Sequence, residues 1–242
     1  MKSTLRVFQQ HALVYLSAVL FIPSPLLAGG LQIAPVSLTL REAQKADGIW
    51  LSNEGTTTIN AQVRVYRWTQ SANKDKLAYA HGLVISPPML ILAPGDKQLV
   101  RVIHTGPTMS NNVEDAWRLS IDELPPAKKE KNQLQFVMHY SVPVFVQPSV
   151  IVNAAPKLQW KLVRSDGKVF IEVSNQGNSH AQLAQATFVN SRGVRNIISP
   201  GLLGYVLPGS TMRWIIPAYT GEITGGGKIE VLINGQKTKQ NI

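Results

Sequence analysis

Single apolar and polar residues alternate along much of the chain beyond residue 30, interrupted at short intervals by glycine, proline, asparagine and aspartate. Ile59, Ala61, Val63 and Val65 interleave with Asn60, Gln62, Arg64 and Tyr66, the period of two that turns one face of a strand to a core and the other to water. Trp117, Leu119 and Ile121 repeat the pattern ahead of Pro125-Pro126, and residues 99–103 follow a Pro94-Gly95-Asp96 turn. Residues 157–164 and 168–174 flank Ser165-Asp166-Gly167, which predicts a hairpin. Pro208-Gly209 and Gly225-Gly226-Gly227 mark further turns. No run holds a helical period. Short strands with turn residues about every ten positions predict an all-β chain of β-sandwiches.

The longest strand-like run covers residues 134–147 and is followed by Pro148 and the stretch Asn153-Ala154-Ala155-Pro156, suited to a hinge. The expected organisation is a leader over residues 1–28, a first sandwich over 29–150 and a second over 151–242. No internal repeat is evident.

For the leader, Lys2 and Arg6 precede an almost wholly apolar run over residues 12–22, then Pro23, Pro25 and the small Ala28 ahead of Gly29-Gly30. A basic start, a short apolar centre and a small residue at the cut mark a secretory signal peptide, and the run is too short to span a bilayer. The expectation is an exported protein without membrane insertion.

Composition narrows the classes. The 242 residues are 44 % apolar and 16 % charged, a balance that fits a folded core and not a disordered chain. Lacking cysteine, the chain has no disulfide framework, thiol nucleophile or zinc finger. Its 24 Lys+Arg against 14 Asp+Glu give a net charge of +10, which suits an acidic partner of any chemistry.

Signals for catalysis are sparse. His11, His81, His104, His139 and His180 are scattered without metal-ligand spacing, and no Gly-x-Ser-x-Gly elbow occurs. Gly225-Gly226-Gly227-Lys228 has the look of a phosphate loop, but Glu222 and Ile229 occupy positions that need Gly and Ser or Thr, and a strand follows instead of a helix. Lys128, Lys129 and Lys131 lack the interleaved aromatics that stack bases. The expectation is therefore a non-enzymatic protein with no metal site, no cofactor and no nucleic-acid partner.

Segment 134–148 (Leu-Gln-Phe-Val-Met-His-Tyr-Ser-Val-Pro-Val-Phe-Val-Gln-Pro) is the most informative. Leu134, Phe136, Met138 and Tyr140 share one face, with Gln135, Val137 and His139 opposite. The pattern alone fits an ordinary core strand. Pro143, however, cannot donate to a ladder, which favours an edge or irregular position. A long apolar edge is an aggregation hazard unless another chain is meant to pair with it.

The order of elements resembles a PapD-like periplasmic pilus chaperone of the chaperone–usher pathway. The carrying residues are Ser86-Pro87-Pro88, Leu92-Ala93-Pro94-Gly95-Asp96-Lys97-Gln98-Leu99-Val100-Arg101, and Asp122-Glu123-Leu124-Pro125-Pro126 ahead of the long strand. Arg64-Val65-Tyr66-Arg67-Trp68-Thr69-Gln70 and Tyr140-Ser141-Val142-Pro143-Val144-Phe145 look like the archaic branch, which serves Csu-type and spore-coat-like fimbriae. The likeness spans most of residues 31–150; beyond 150 it extends only to length and strand character. It implies two immunoglobulin-like sandwiches arranged as an L, a periplasmic location, and pilin subunits and an outer-membrane usher as partners. It also implies that the chaperone lends its long strand to a subunit made without its last one. Leu134, Phe136 and Met138 fall on the groove-filling positions and Tyr140 continues their face. Four such side chains offer roughly 6–12 kcal/mol before ordering costs. A slip by one residue would present Gln135 and His139 instead. The exposed edge also allows self-association of the free chain.

Most of the family anchors the subunit's C-terminal carboxylate with an Arg and a Lys, positions that fall here on Ser37 and Pro143. The replacement candidates are Arg118, early in the strand expected to pair with the long one, and Lys157, directly after the linker, with Arg64 and Arg67 as runners-up. Glu114 matches a family acid that holds the domains together, and Gln147 stands where its Arg partner would be. Two alternatives stay open: a pilus subunit or adhesin, for which residues 31–40 alternate weakly, and a periplasmic sandwich binding another ligand.

Overall fold

The structure is a computed structural model that describes residues 30–41, 43–106, 112–125, 136–148, 154–217 and 226–242. The expected leader and Leu134 lie outside them. Ten strands build the first sandwich: β1 (Leu31–Ala34), β2 (Leu38–Arg41), β3 (Ala46–Asn53), β4 (Ile59–Ser71), β5 (Lys74–Ala78), β6 (Leu83–Ser86), β7 (Met89–Leu92), β8 (Lys97–His104), β9 (Asp115–Leu124) and β10 (His139–Gln147). Seven build the second: β11 (Leu158–Ser165), β12 (Lys168–Asn175), β13 (Ala181–Asn190), β14 (Arg195–Val206), β15 (Thr211–Ile215), β16 (Gly227–Ile233) and β17 (Gln236–Asn241). No helix occurs among the described residues.

In the first sandwich, sheet β1-β3-β8-β6 faces sheet β2-β10-β9-β4-β5, with β7 also on β4. Alternate side chains of both sheets close the core around Leu40, Ile49, Leu51, Val100, Val102, Leu119, Ile121 and Val144, all fully buried. Sheets β11-β12-β15 and β14-β13-β16-β17 enclose a second core around Ile171, Val173, Leu183 and Phe188. The β11–β12 turn forms at Asp166 and Gly167, with φ of 51° and 70°, the left-handed pair that a tight hairpin requires.

Residues 31–40 do not form the free alternating extension a subunit would carry. β1 pairs with β3 in one sheet and β2 runs parallel to β10 in the other, so the segment is spent inside its own sandwich.

The two sandwiches also share a motif that self-similarity over longer windows does not detect. Asn53 closes β3 and Asn175 closes β12, at 0 % and 1 % exposure. Asn53 Nδ2 donates to the Thr57 and Leu92 carbonyls at 2.8 and 3.0 Å, while its Oδ1 accepts from Gly55 N at 2.9 Å. Asn175 Nδ2 donates to the Ser179 and Val206 carbonyls at 2.8 and 3.0 Å, and its Oδ1 accepts from Gly177 N at 2.9 Å. Their carbonyls accept from Gly95 N and Gly209 N of the two Pro-Gly turns. The expectation of no repeat is thus corrected: Ser-Asn-x-Gly with a later Pro-Gly occurs in each half, too short to stand out in sequence.

Gly177 lets the chain enter the second sandwich closely. A Cβ there would meet the Ala155 carbonyl oxygen at 2.3 Å and Lys157 N at 2.5 Å.

Candidate functional site

β10 is the strand on which the site is built. It pairs antiparallel with β9 from His139 (opposite Asp122) to Val146, but with β2 only from Val144 to Gln147. The second ladder therefore begins directly after Pro143, whose missing N–H costs nothing there. Residues 139–143 have β9 on one side and no described strand on the other. Among the described residues the strand starts at His139, with 136–138 outside it, and its partner β9 ends at Leu124 ahead of Pro125. Met138 is still attached: Glu123 N donates to its carbonyl at 2.9 Å, and its own N–H donates to Glu123 Oε2 at 3.1 Å.

Along β10 the side chains of Tyr140, Val142, Val144 and Val146 pack into the first core. Met138 and Phe136 fall in sequence on the positions that continue this alternation, but residues 136–138 precede the strand, and Phe136, Val137 and Met138 all stand exposed, at 79 %, 47 % and 40 %. Tyr140 parts from them: it is half-buried and its hydroxyl donates to the Leu31 carbonyl at 2.5 Å, so this member of the expected donor face is committed to its own sandwich.

Asp122 fixes the base of the overhang. His139 Nδ1 lies 2.6 Å from its Oδ1, and Arg64 Nη2 and Ser120 Oγ donate to its Oδ2 at 2.7 and 3.0 Å. Burial pushes the Asp122 carboxyl up, but the bonds from Arg64, His139 and Ser120 outweigh it and hold the group below its ordinary value.

The opposite face of β10 meets the second sandwich. Phe145 joins Trp68, Ala116, Tyr205 and Leu207 in a small buried cluster drawn from both halves. His180 stacks on Phe145, and its Nδ1 lies 2.7 Å from Glu114 Oε1, which also accepts from His180 N at 3.1 Å. Gln147 Nε2 donates to Glu114 Oε2 at 3.4 Å and Glu114 N donates to the Asn178 carbonyl, so Glu114 and Gln147 meet at this junction. Gln70 adds a second tie: its Nε2 donates to the Tyr205 carbonyl and its Oε1 accepts from Leu207 N, both at 2.9 Å.

The candidate cations separate clearly. Arg64 is paired to Asp122, and Arg67 Nη2 reaches Asp115 Oδ1 at 2.6 Å. Lys157 is exposed, and its described bonds are those of its backbone. Arg118 lies at the junction with its guanidinium carbon 3.7 Å from the Trp68 ring centroid and forms no ion pair among the described residues. Burial pulls Arg118 below its ordinary value, with the fields of Asp75 and Tyr205 acting the other way. Trp68, Gln70, His180 and Tyr205 carry no spacing signal in the sequence; only the docking of the two sandwiches assembles them.

A family model described as pili and flagellar-assembly chaperone, PapD N-terminal domain, matches residues 30–152. The chain is 30 % identical over 109 residues to Chaperone protein PmfD of Proteus mirabilis, covering 43 % of this chain and 42 % of that one. It is 20 % identical over 207 residues to the Probable fimbrial chaperone LpfB of Escherichia coli, covering 80 % and 86 %. Across the first two curated relatives the match spans about half of their length, 42 % and 52 %. Among solved structures, CsuC in its pre-assembly complex with the tip subunit CsuE, from archaic chaperone–usher Csu pili of Acinetobacter baumannii, superposes with a TM-score of 0.70 at 24 % identity, covering 88 % and 98 % of the two chains. The CupB2 chaperone of Pseudomonas aeruginosa gives 0.60 at 17 % identity, covering 87 % and 98 %. At these identities the likeness shows the fold.

Proposed function

Because the chain belongs to the pili and flagellar-assembly chaperone family through its PapD N-terminal domain, we propose that it is a periplasmic chaperone that holds pilin subunits by lending them a strand and passes them to an outer-membrane usher. Residues 1–28 serve as the cleaved leader that exports it, and its service is to a fimbria of the archaic type.

One observation carries the proposal. Met138 and Phe136, which in sequence take the alternate positions before the core-filling residues of β10, stand exposed beyond the first core. Side chains of this kind, exposed among the described residues, fit a subunit groove that lacks a strand. Burying Phe136 and Met138 offers about 3–6 kcal/mol before ordering costs, and Leu134 would extend the same row. Backbone pairing supplies grip and the alternate side chains supply register. Arg118 takes the subunit's terminal carboxylate, with a guanidinium fork suited to bidentate bonding. Release needs no nucleotide: a subunit gives up the lent strand when its neighbour offers a better one.

Replacing Phe136 and Met138 together by Glu tests the proposal. Both side chains are exposed, so the chain should keep its thermal melt while losing co-purification with the subunit expressed beside it. An intact complex would overturn the strand-lending role.

A further inference from the structure

We infer that the carboxylate site at Arg118 is composite, completed by Tyr205 of the second sandwich, and that Tyr205 is a positioning residue for it. The inference rests on the function proposed above. Arg118 belongs to β9, and its guanidinium carbon lies 3.7 Å from the Trp68 ring centroid and 5.2 Å from that of Tyr205. The two rings meet edge to face at 5.4 Å, so the guanidinium has aromatic surface on two sides. Its one described hydrogen bond runs from Nη1 to the Ser141 carbonyl at 3.3 Å.

Both walls are held from elsewhere. Trp68 Nε1 donates to Asp75 Oδ1 at 2.9 Å, which sets the indole plane. Gln182 Nε2 donates to the Tyr205 hydroxyl at 2.8 Å, and Gln70 clamps the backbone on either side of Val206. Gln70 lies two residues beyond Trp68 on β4, so one strand of the first sandwich supplies one wall and fastens the other.

Such a cage strips water from the guanidinium without neutralising it. An incoming carboxylate then gains more from its charge-assisted bonds than it would at a solvated arginine, and it meets a fork already oriented. One wall comes from each sandwich, so the site is whole only while the junction at Glu114 and His180 is closed. Capture of a subunit's end is thereby tied to the docking of the two halves.

The test is an NMR titration of the full chain with the peptide acetyl-Val-Thr-Val-Thr-Val bearing a free carboxylate, and with its C-terminal amide. The unsubstituted chain should prefer the acid, Arg118→Ala should lose the preference, and Tyr205→Phe should keep it. Tyr205→Leu should reduce it about five- to tenfold, the loss of one cation–π wall. If Tyr205→Leu keeps the full preference while Arg118→Ala loses it, the anchor stands and the composite site is overturned. If the unsubstituted chain shows no preference, or Arg118→Ala retains it, the anchor is wrong and the composite site falls with it; the strand-lending role is judged separately by the Phe136 and Met138 pair. Should Tyr205→Leu fail to fold, the unsubstituted chain decides: the acid must shift the Trp68 indole N–H and the Tyr205 ring signals together, and movement of Trp68 alone overturns the inference.

Discussion

His180 lies flat on Phe145, ring centroids 3.5 Å apart and planes 4° from parallel, which joins the second sandwich to β10, the strand that Phe136 and Met138 precede. The stack is held at its edge by Glu114, whose side chain is fully buried and accepts from His180 and Gln147. Glu114→Ala leaves these donors without their acceptor and should cost about 1–3 kcal/mol. Differential scanning calorimetry should show a melt lowered by several degrees. An unchanged melt would mean that the junction draws its strength from the aromatic cluster alone.

The paired asparagines give a second prediction. Asn53→Ala removes a side chain that satisfies three buried or half-buried backbone groups, and Asn175→Ala one that satisfies four, Lys157 N included. Each should lose about 2–4 kcal/mol in urea unfolding. Lying in separate sandwiches, their effects should add in the double variant to within about 0.5 kcal/mol. A near-neutral result at either position would contradict the equivalence of the two loops.

Asp122 sets an acid limit on the overhang. Its carboxyl is held below the ordinary value in the folded chain, so its contribution to stability is complete above the unfolded value of 3.8 and is lost as pH falls through the folded one. Urea midpoints measured from neutral pH downward should therefore decline more steeply below about pH 4 in the unsubstituted chain than in Asp122→Asn. Glu230, held low by Arg195 and Lys239 in the second sandwich, titrates in both chains and cancels in the comparison. Parallel curves would contradict the prediction.

The candidate cations should divide by phenotype. Arg118→Ala should weaken subunit binding at least tenfold, the worth of one charge-assisted bond, while changing stability by no more than about 1 kcal/mol. Arg67→Ala should do the reverse, since it breaks the bond to the buried Asp115. Lys157→Ala should weaken binding less than Arg118→Ala. Subunit yield and thermal melts of the three variants check all of this together.

Much of the fold is legible in residues 59–65 and 117–121, where strict alternation over a half-buried sheet leaves one arrangement of faces, and in Asp166-Gly167, which dictates its own turn. The start of β10 is harder to read. Residues 134–140 carry one unbroken pattern, yet Tyr140 packs inward while Met138 and Phe136 stand exposed, because the end of β9 at Pro125 is a fact about a different segment. The junction was the least legible part. Glu114 and Gln147 stand out only through family resemblance, Gln70 only as the end of the archaic-like run, His180 only as one of five scattered histidines and Tyr205 not at all, since residues more than 60 positions apart meet there through docking of two cores rather than through local pattern. The cations show the same limit: four arginines and lysines look alike in sequence until Asp122 and Asp115 are seen to occupy two of them.

Hydrogen exchange at the amides of Val137 and His139, compared between the free chain and the chain bound to a subunit, tests the lent strand most directly, because Met138 between them already turns its N–H and its carbonyl to Glu123 of β9 and the alternate positions turn theirs to the open edge. Pairing with a subunit should slow both by about a hundredfold or more, with Met138 changing less. Unchanged exchange at these amides in a complex that is demonstrably intact would mean that the subunit is held elsewhere.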